Sequence, residues 1–203
     1  VALALLEVAD KSGRWLDMCS GPGGKAAMLQ AGISTSGGIL DCLEPIPNRA
    51  DLVRQALNKN LPGSVQVGYG QDAKADFYDA VLLDAPCSGL GSVRRKPESR
   101  WRKTPEQLSG LTKTQAELLT AAVRALKSGG YLLYSTCSPL VIETNTQIKQ
   151  LLDDHSNLEL VNANEVLNRI SPALEMPTNR KTAQLWTHLH ATDAMYIAIL
   201  RKK

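Results

Sequence analysis

Aromatic side chains and cysteine pairs are both scarce in this sequence. Its 203 residues include one Phe, three Trp and five Tyr, too few for a sheet that stacks RNA bases on exposed rings. The four cysteines do not make a disulfide scaffold, and without a C-x-x-C pair the common zinc and thioredoxin-like motifs are excluded. Free thiols are typical of a reducing compartment, so we expect a cytoplasmic protein.

Long apolar runs are also absent. None approaches the roughly 18 residues that span a bilayer, and we find no secretory signal, so we expect no membrane partner. His188 and His190 have no third or fourth candidate ligand nearby, and we therefore expect no metal. A hydrophobic content of 43% and a charged content of 21% are ordinary for a globular protein. We predict one domain over residues 1–203, and the apolar opening, residues 1–6, indicates a fragment of a longer protein.

Positive charge is concentrated in one segment. The net charge is only +3, which by itself does not indicate a nucleic-acid partner. Residues 94–103 nevertheless hold six cations against the single anion Glu98, namely Arg94, Arg95, Lys96, Arg100, Arg102 and Lys103. Such a run is either a solvated loop or a surface for phosphate contacts, and its position just after a cysteine motif favours phosphate contacts.

Strand-like and helix-like segments alternate along the chain. The predicted strands are residues 14–17, 39–43, 65–67, 80–83, 131–134, 158–161 and 195–200. The predicted helices are residues 1–8, 24–31, 48–60, 105–127 with a candidate break near Gly110, and 142–153. This alternation predicts an α/β fold with a mostly parallel sheet covered on both faces. Residues 162–183, with Pro172 and Pro177, are predicted to be irregular.

The helix over residues 105–127 has clear boundary signals. Thr104 is a good N-cap, Pro105 suits the first helical position, and Gln107 stands where a capping box needs it. At the other end, residues 127–130 (KSGG) are expected to stop the helix and turn the chain into the next strand.

Two cysteines directly follow short apolar runs. Residues 80–84 (AVLLD) lead to Cys87, and residues 131–135 (YLLYS) lead to Cys137. If both runs are neighbouring parallel strands, the thiols emerge at the carboxyl edge of one sheet, where open α/β sheets bind ligands. Such a thiol pair indicates covalent catalysis on an electron-poor ring. Cys42 lies inside an apolar run and is expected to be core packing.

A glycine-rich segment, residues 16–25 (LDMCSGPGGK), leads from the first strand into a helix. It lacks the residues of a phosphate-binding Walker loop and of a G-x-G-x-x-G loop. Glu44 ends the second predicted strand, 20 residues after Gly24. An acid at such a strand end can accept hydrogen bonds from ribose hydroxyls, so the pair indicates a nucleoside cofactor. The alternative is a plain strand-to-helix turn with a surface glutamate.

Three motifs together resemble those of the RNA cytosine carbon-5 methyltransferases, and among these the RsmB (Sun/Fmu) enzymes of bacterial small-subunit rRNA. They are residues 22–25 (PGGK), 84–89 (DAPCSG) and 135–138 (STCS). Residues 91–102 resemble that family's basic segment, and residues 184–196 resemble its last strand and the approach to it. The resemblance covers nearly the whole chain. It implies a Rossmann-like methyltransferase fold with seven strands, the last antiparallel, S-adenosyl-L-methionine as cofactor, and a monomer with ribosomal RNA as its partner.

The resemblance also implies roles for single residues. Cys137 would attack carbon 6 of cytosine, Cys87 would assist breakdown of the covalent adduct, and Asp84 would face both the cofactor's methionine part and the target base. Glu44 would hold the ribose. The implied cofactor-binding residues are Cys19, Ser20, Gly21, Pro22, Gly23, Gly24, Lys25, Glu44, Arg49, Tyr69 and Asp84. The implied RNA-binding residues are Arg94, Arg95, Lys96, Arg100 and Arg102.

Two departures from the family pattern leave alternatives. Tyr69 stands where the family often carries an Asp that meets the adenine edge, and we expect the family's N-terminal RNA-binding domain to have been removed by truncation. One alternative is a cofactor- and RNA-binding module without catalysis. Another is a DNA cytosine methyltransferase, in which Cys87 would be the nucleophile. Lys25 fits either a structural cation of the loop or an RNA contact.

Overall fold

The chain folds around one central sheet in a computed structural model that describes residues 1–101 and 104–203. The strands among these residues are β1 (Arg14–Asp17), β2 (Ile39–Glu44), β3 (Gly63–Val67), β4 (Tyr78–Asp84), β5 (Leu126–Thr136), β6 (Leu158–Val161), β7 (Ala183–Gln184) and β8 (Tyr196–Lys202). The α-helices are α1 (Ala2–Val8), α2 (Gly24–Ser34), α3 (Pro47–Ala56), α4 (Pro105–Ala125), α5 (Asn145–Asp154), α6 (Ala163–Ile170) and α7 (Thr187–His190). Every predicted element has a counterpart, and β1 and β6 have the predicted bounds.

The strand order is β3-β2-β1-β4-β5-β8-β6, and the short β7 pairs with β8. Neighbours from β3 to β5 run parallel, whereas β8 runs antiparallel to both β5 and β6. The predicted Rossmann-like sheet, mostly parallel with an antiparallel last strand, is confirmed. The two-residue β7 adds one strand to the predicted seven.

The sheet order explains where a site can form. Strands β1, β4 and β5 are parallel neighbours, with Asp17 opposite Leu82 and Asp84 opposite Ser135. Their carboxyl ends therefore lie at the same edge of the sheet, on either side of the centre. The segments that follow these ends carry the glycine-rich loop and the two cysteine motifs.

Side chains that alternate along the central strands form a hydrophobic core on each face of the sheet. On one face, Leu82 and Leu133 pack with residues of α1, α2 and α6. On the other face, Leu83 and Leu132 pack with residues of α4 and α5. Burial of both faces fixes the register of β4 against β5, because a slip of one residue would exchange the two faces.

Helix α4 begins as predicted but ends earlier. The Thr104 hydroxyl accepts a hydrogen bond from the Gln107 backbone N–H, and the Gln107 side chain accepts one from the Thr104 N–H. The predicted break near Gly110 is wrong, since the helix continues to Ala125. Residues 127–130 do not form a separate turn, because β5 already begins at Leu126 and includes them. They have no partner in β4, since the register passes from the Tyr78–Leu126 pair directly to the Ala80–Tyr131 pair. No described helix has the length and hydropathy to cross a membrane.

Helix α6 lies in the segment that was predicted to be irregular. The Asn162 side chain caps it by accepting hydrogen bonds from the backbone N–H groups of Asn164 and Glu165. Val166 and Leu167 are buried in the core cluster that also contains α1. The helix spans only eight residues, so packing against α1 stabilises it rather than its own propensity.

Candidate active site

Cys87 and Cys137 meet at the carboxyl edge of the sheet. Cys87 lies three residues beyond the end of β4, and Cys137 lies one residue beyond the end of β5. Their sulfur atoms are 3.3 Å apart, within hydrogen-bond distance, and both side chains are half-buried. The predicted convergence of the two thiols is thus present in the fold. Cys42, by contrast, is completely buried in the core, as expected.

The contact between the thiols makes them chemically unequal. A hydrogen bond from the Cys87 thiol, partly opposed by burial, lowers the pKa of Cys137. The same hydrogen bond, followed by burial, raises the pKa of Cys87. Cys137 is therefore the more acidic thiol of the pair, and only a thiolate is an effective nucleophile.

The Cys137 loop is held by backbone contacts with a short 3-10 helix, Leu90–Ser92. The Gly91 N–H donates to the Cys137 carbonyl oxygen at 2.9 Å, and the Ala194 N–H donates to the Gly91 carbonyl oxygen at 2.9 Å. This packing places the segment before β8 beside the cysteines, and it places the start of the basic segment there as well.

A cleft of about 380 Å³ lies between the glycine-rich loop, α1 and the end of β4. Seven of the predicted cofactor-binding residues line it, namely Cys19, Ser20, Gly21, Pro22, Gly24, Lys25 and Asp84. The other lining residues are Val1, Ala2, Asp17 and Met28. The structure therefore brings most of the predicted cofactor set into one cavity next to Asp84.

Asp84 joins this cleft to the strand that carries Cys137. The Lys25 ammonium donates to its Oδ2 at 2.6 Å, and the Ser135 hydroxyl donates to its Oδ1 at 2.7 Å. Both members of the Lys25–Asp84 ion pair are partly exposed. Lys25 is thus a cation that lines the cleft and pairs with Asp84.

Glu44 and Arg49 lie under the glycine-rich loop rather than on the cleft wall. The Glu44 carboxylate accepts hydrogen bonds from the N–H groups of Gly21 and Ile46, both at 3.1 Å. The Arg49 guanidinium donates to the Gly21 carbonyl oxygen at 2.8 Å and lies 3.5 Å from Glu44. A Cβ atom on Gly21 would stand 2.3 Å from a Glu44 oxygen, so a larger residue would have to displace the Glu44 and Arg49 side chains.

Tyr69 and Gly23 complete the predicted cofactor set but do not line the cleft. Tyr69 is 65% exposed and immediately precedes a 3-10 helix, Gly70–Asp72. The Tyr69 N–H donates to the Asp72 side chain at 3.2 Å. Tyr69 therefore stands at the sheet edge beyond β3, where Asp72 is its acidic neighbour.

Asp17 is a site residue that the sequence interpretation missed. It is 1% exposed, and neither carboxylate oxygen makes a hydrogen bond of good geometry within the described residues. Burial, and then the nearby Asp84 charge, raise the pKa of Asp17 to about 7. A buried carboxylate without partners at a cleft wall is unfavourable on its own, and it fits a cationic ligand. Its position at the end of β1 was the sequence signal that could have identified Asp17 as a site residue.

The predicted RNA-binding residues are only partly described. Arg94, Arg95 and Lys96 are exposed. Arg95 forms a two-pronged ion pair with Asp193, which lies in the segment before β8. This pair was not predicted. The Arg100 side chain and the whole of Arg102 lie outside the described residues, as does Lys103.

No group of three or more His, Cys, Asp or Glu side chains in the described part of the chain has the geometry to hold a metal ion. The side chains gathered at this sheet edge are two thiols, two acids and a lysine, with arginines and a lysine beside them.

The amino-acid sequence is similar to those of known methyltransferases. The model of the 16S rRNA methyltransferase RsmB/F family matches residues 3–201. A Mycobacterium tuberculosis protein whose name assigns it to the methyltransferases is 42% identical over 203 residues, covering 99% of this chain and 43% of that protein. The ribosomal RNA small subunit methyltransferase B of Vibrio cholerae is 33% identical over 210 residues, covering 99% of this chain and 44% of that protein. The chain thus spans less than half the length of these curated relatives.

Solved structures share the fold. The crystal structure of PH0851 is similar with a TM-score of 0.84 and 27% identity, covering 99% of this chain and 46% of that one. NSun6 from Pyrococcus horikoshii, solved with SFG, has a TM-score of 0.74 and 23% identity, covering 99% of this chain and 50% of that one. With a family model that matches nearly its full length, the chain belongs to the RsmB/F family of 16S rRNA methyltransferases, which use S-adenosylmethionine.

Proposed function

We propose that this chain is a catalytic domain that transfers a methyl group from S-adenosylmethionine to carbon 5 of a cytosine in ribosomal RNA, through a covalent adduct with Cys137. One observation carries the proposal. Two thiols from different strand ends lie 3.3 Å apart, and Cys137 is the one that ionises more readily. Transfer to an oxygen or an exocyclic nitrogen needs no thiol, whereas carbon 5 of a pyrimidine becomes nucleophilic only after addition at carbon 6.

The cleft fits the proposed cofactor by charge and shape. S-adenosylmethionine carries a positive sulfonium and a positive ammonium group, and the unpartnered carboxylate of Asp17 is suited to a cation. Gly24 lines the cleft and has open space where a Cβ would stand, which leaves the loop backbone free for a close approach. We assign cofactor contacts to the cleft residues Cys19, Ser20, Gly21, Pro22, Gly24 and Lys25. Gly23, Glu44, Arg49 and Tyr69 lie outside this cleft, and we propose that they stand on the nucleoside side. The bound cofactor supplies an electrophilic methyl group.

The Cys137 thiolate adds to carbon 6, and the electron pair of the 5,6 double bond then makes carbon 5 nucleophilic. Carbon 5 takes the methyl group, and the electron pair of the broken carbon–sulfur bond stays on the cofactor's sulfur. The proton on carbon 5 must then leave. The electrons of that C–H bond restore the double bond and expel the Cys137 thiolate. Asp84 stands between the cleft and β5, with both oxygens held by Lys25 and Ser135, so its carboxylate is oriented before the base enters.

Cys87 is the residue that we assign to removal of the proton. In the free protein its hydrogen bond to Cys137 keeps it protonated. Once the Cys137 sulfur is bonded to carbon 6, that sulfur no longer carries a negative charge. The largest cause of the raised pKa of Cys87 is then removed, and Cys87 becomes a better base at the step that needs one.

The basic segment supplies the RNA surface in this proposal. Arg94, Arg95 and Lys96 follow the 3-10 helix whose Gly91 contacts the Cys137 carbonyl. Cations there contact phosphates and add affinity without sequence preference. The Arg95–Asp193 pair ties this segment to the chain before β8, so the surface is fixed relative to the thiols.

The test is a trap with 5-fluorocytosine-substituted ribosomal RNA and the full-length protein. Fluorine at carbon 5 prevents proton removal, so the adduct accumulates. We expect a cross-linked peptide that contains Cys137, no cross-link with Cys137→Ser, and an accumulated adduct on unsubstituted RNA with Cys87→Ser. A cross-link at Cys87 would instead indicate the order used by DNA enzymes. RNA and cofactor binding without any adduct would indicate a binding module.

A further inference from the structure

Glu143 is a completely buried acid that the reaction described above does not use. It ends a 3-10 helix, Val141–Glu143, six residues after Cys137. No lysine, arginine or histidine of the described chain forms an ion pair with it. A buried carboxylate is unfavourable unless hydrogen bonds satisfy its oxygens, so its contacts must account for its presence there.

Four hydrogen bonds converge on this carboxylate. Its Oε1 accepts from the Ser88 backbone N–H at 2.8 Å and from the Gln115 side-chain amide at 3.1 Å. Its Oε2 accepts from the Ser88 hydroxyl at 2.6 Å and from the Ser138 hydroxyl at 2.5 Å. Ser88 directly follows Cys87, and Ser138 directly follows Cys137. One carboxylate therefore bridges the two cysteine loops.

Further contacts fix the direction of these bonds. The backbone N–H groups of Leu90 and Leu140 donate to the hydroxyls of Ser88 and Ser138, at 3.4 and 3.1 Å. Each hydroxyl thus accepts one backbone hydrogen bond and donates its own proton to Glu143 at a shorter distance than the 3.4 Å between the two hydroxyl oxygens. A group at this position must accept in every direction, which a carboxylate does and an amide does not.

The other side of Glu143 is anchored to the sheet. Its backbone carbonyl accepts a hydrogen bond from the Tyr134 hydroxyl at 2.8 Å, and Tyr134 is a fully buried residue of β5. Gln115 of α4 donates both to Glu143 and to the Pro86 carbonyl at 2.9 Å. The bridge is therefore anchored to β5 and α4 as well as to the two cysteine loops.

We infer that Glu143 is a positioning residue that sets the separation of the Cys87 and Cys137 sulfurs by clamping the serine after each cysteine. It touches neither sulfur and acts only through Ser88 and Ser138. Its catalytic consequence rests on the proposed function, but its effect on the thiols does not. A lost clamp lengthens the contact between the sulfurs, and Cys137 then loses the hydrogen bond that stabilises its thiolate.

The substitution Glu143→Gln is a useful test because its two possible effects change the pKa of Cys137 in opposite directions. Removal of a nearby negative charge would by itself favour the thiolates and lower their pKa values. Loss of the sulfur contact has the opposite effect on Cys137. The other titratable groups that face Cys137, which are Asp84, Cys87 and Arg95, stay unchanged in this variant.

The experiment measures alkylation of Cys137 in the full-length protein by iodoacetamide as a function of pH, with the modified peptide quantified by mass spectrometry. In Glu143→Gln we expect the pKa of Cys137 to rise towards the ordinary value of about 8.5. The alkylation rate at pH 6.5 should then fall by roughly tenfold, because each unit by which the pKa rises above the pH lowers the thiolate fraction about tenfold. Leu151→Ala, which truncates a buried side chain of α5, is the control for a merely structural loss and should leave the pKa of Cys137 in place.

If Glu143→Gln does not fold, Ser138→Ala removes a single donor from the clamp and should raise the pKa of Cys137 by a smaller amount. An unchanged or lowered pKa of Cys137 in a folded Glu143→Gln variant would overturn the inference. Because alkylation needs no RNA, this outcome is distinct from a failure of the RNA trap, which would bear on the proposed function alone.

Discussion

The sulfur atoms of Cys87 and Cys137 lie 3.3 Å apart although fifty positions separate them in the chain. This contact exists because β4 and β5 are parallel neighbours, with Asp84 opposite Ser135, so that both chains leave the sheet at the same level. It gives the two thiols opposite tendencies to ionise. The first prediction depends on this asymmetry.

Methyl transfer should follow ionisation of Cys137. Because the hydrogen bond from Cys87 lowers the pKa of Cys137, kcat/KM should rise with pH and reach its plateau below the ordinary cysteine value of about 8.5. In Cys87→Ala, the alkylation profile of Cys137 should move to higher pH, as measured with iodoacetamide on the free protein. An unmoved profile in this variant would show that the thiol contact does not control ionisation.

Asp17 should make the ligand-free protein less stable at higher pH. Its pKa is raised to about 7 in the folded state, so the stabilisation is complete below the unfolded pKa of about 3.9 and is lost as pH rises through about 7. The free energy of unfolding should fall by up to about 1.4 kcal/mol per pH unit across that window. Urea unfolding at pH 5 and pH 8 measures this fall in the free energy of unfolding.

Asp17→Asn should abolish that pH dependence and weaken binding of S-adenosylmethionine at the same time, since the neutral amide no longer attracts a cation. Asp153→Asn, an exposed position on α5, is the matched control and should change neither property. Equal pH dependence in the Asp17→Asn variant and the parent would contradict the assignment of the effect to Asp17.

Gly91 should not tolerate a side chain. A Cβ atom there would stand 2.1 Å from the Ala194 carbonyl oxygen and 2.8 Å from the Cys137 carbonyl oxygen. Gly91→Ala should therefore cost roughly 1–3 kcal/mol of folding stability and displace the Cys137 loop, with a loss of methyl transfer. Gly110→Ala is the control, because its Cβ would meet nothing within 4 Å and the change should stabilise α4 by roughly 0.5–1 kcal/mol. Thermal unfolding and turnover of both variants test this pair.

Arg94 should contribute to RNA affinity in a manner that depends on salt. It is exposed and follows the 3-10 helix beside Cys137. If it contacts one phosphate of single-stranded RNA, Arg94→Ala should reduce the slope of log affinity against log salt concentration by about 0.7. Filter binding of ribosomal RNA to full-length protein measures the slope, and Lys149→Ala on the exposed side of α5 is the control. An unchanged slope would place the RNA elsewhere.

Local signals in the sequence were enough to find most elements. The capping residues of α4, the apolar runs of β4 and β5, and the glycine-rich loop each act over a few neighbouring positions. The same reasoning missed α6, whose eight residues depend on contacts with α1 at the other end of the chain. It also predicted a separate turn at residues 127–130, which the structure instead includes in β5 as an unpaired bulge between the Tyr78–Leu126 and Ala80–Tyr131 pairs.

The sequence by itself determined which chemical groups stand at strand ends: two thiols, the acid Asp84 and a glycine-rich loop. Only the tertiary structure decided how they interact. It paired Lys25 with Asp84, buried the Asp17 carboxylate without a hydrogen bond of good geometry from the described residues, and brought Glu143 beneath both cysteine loops. The physical reason is that propensity and periodicity act between near neighbours in the chain. Hydrogen bonds, desolvation and charge instead depend on distances that exist only once distant strands have paired.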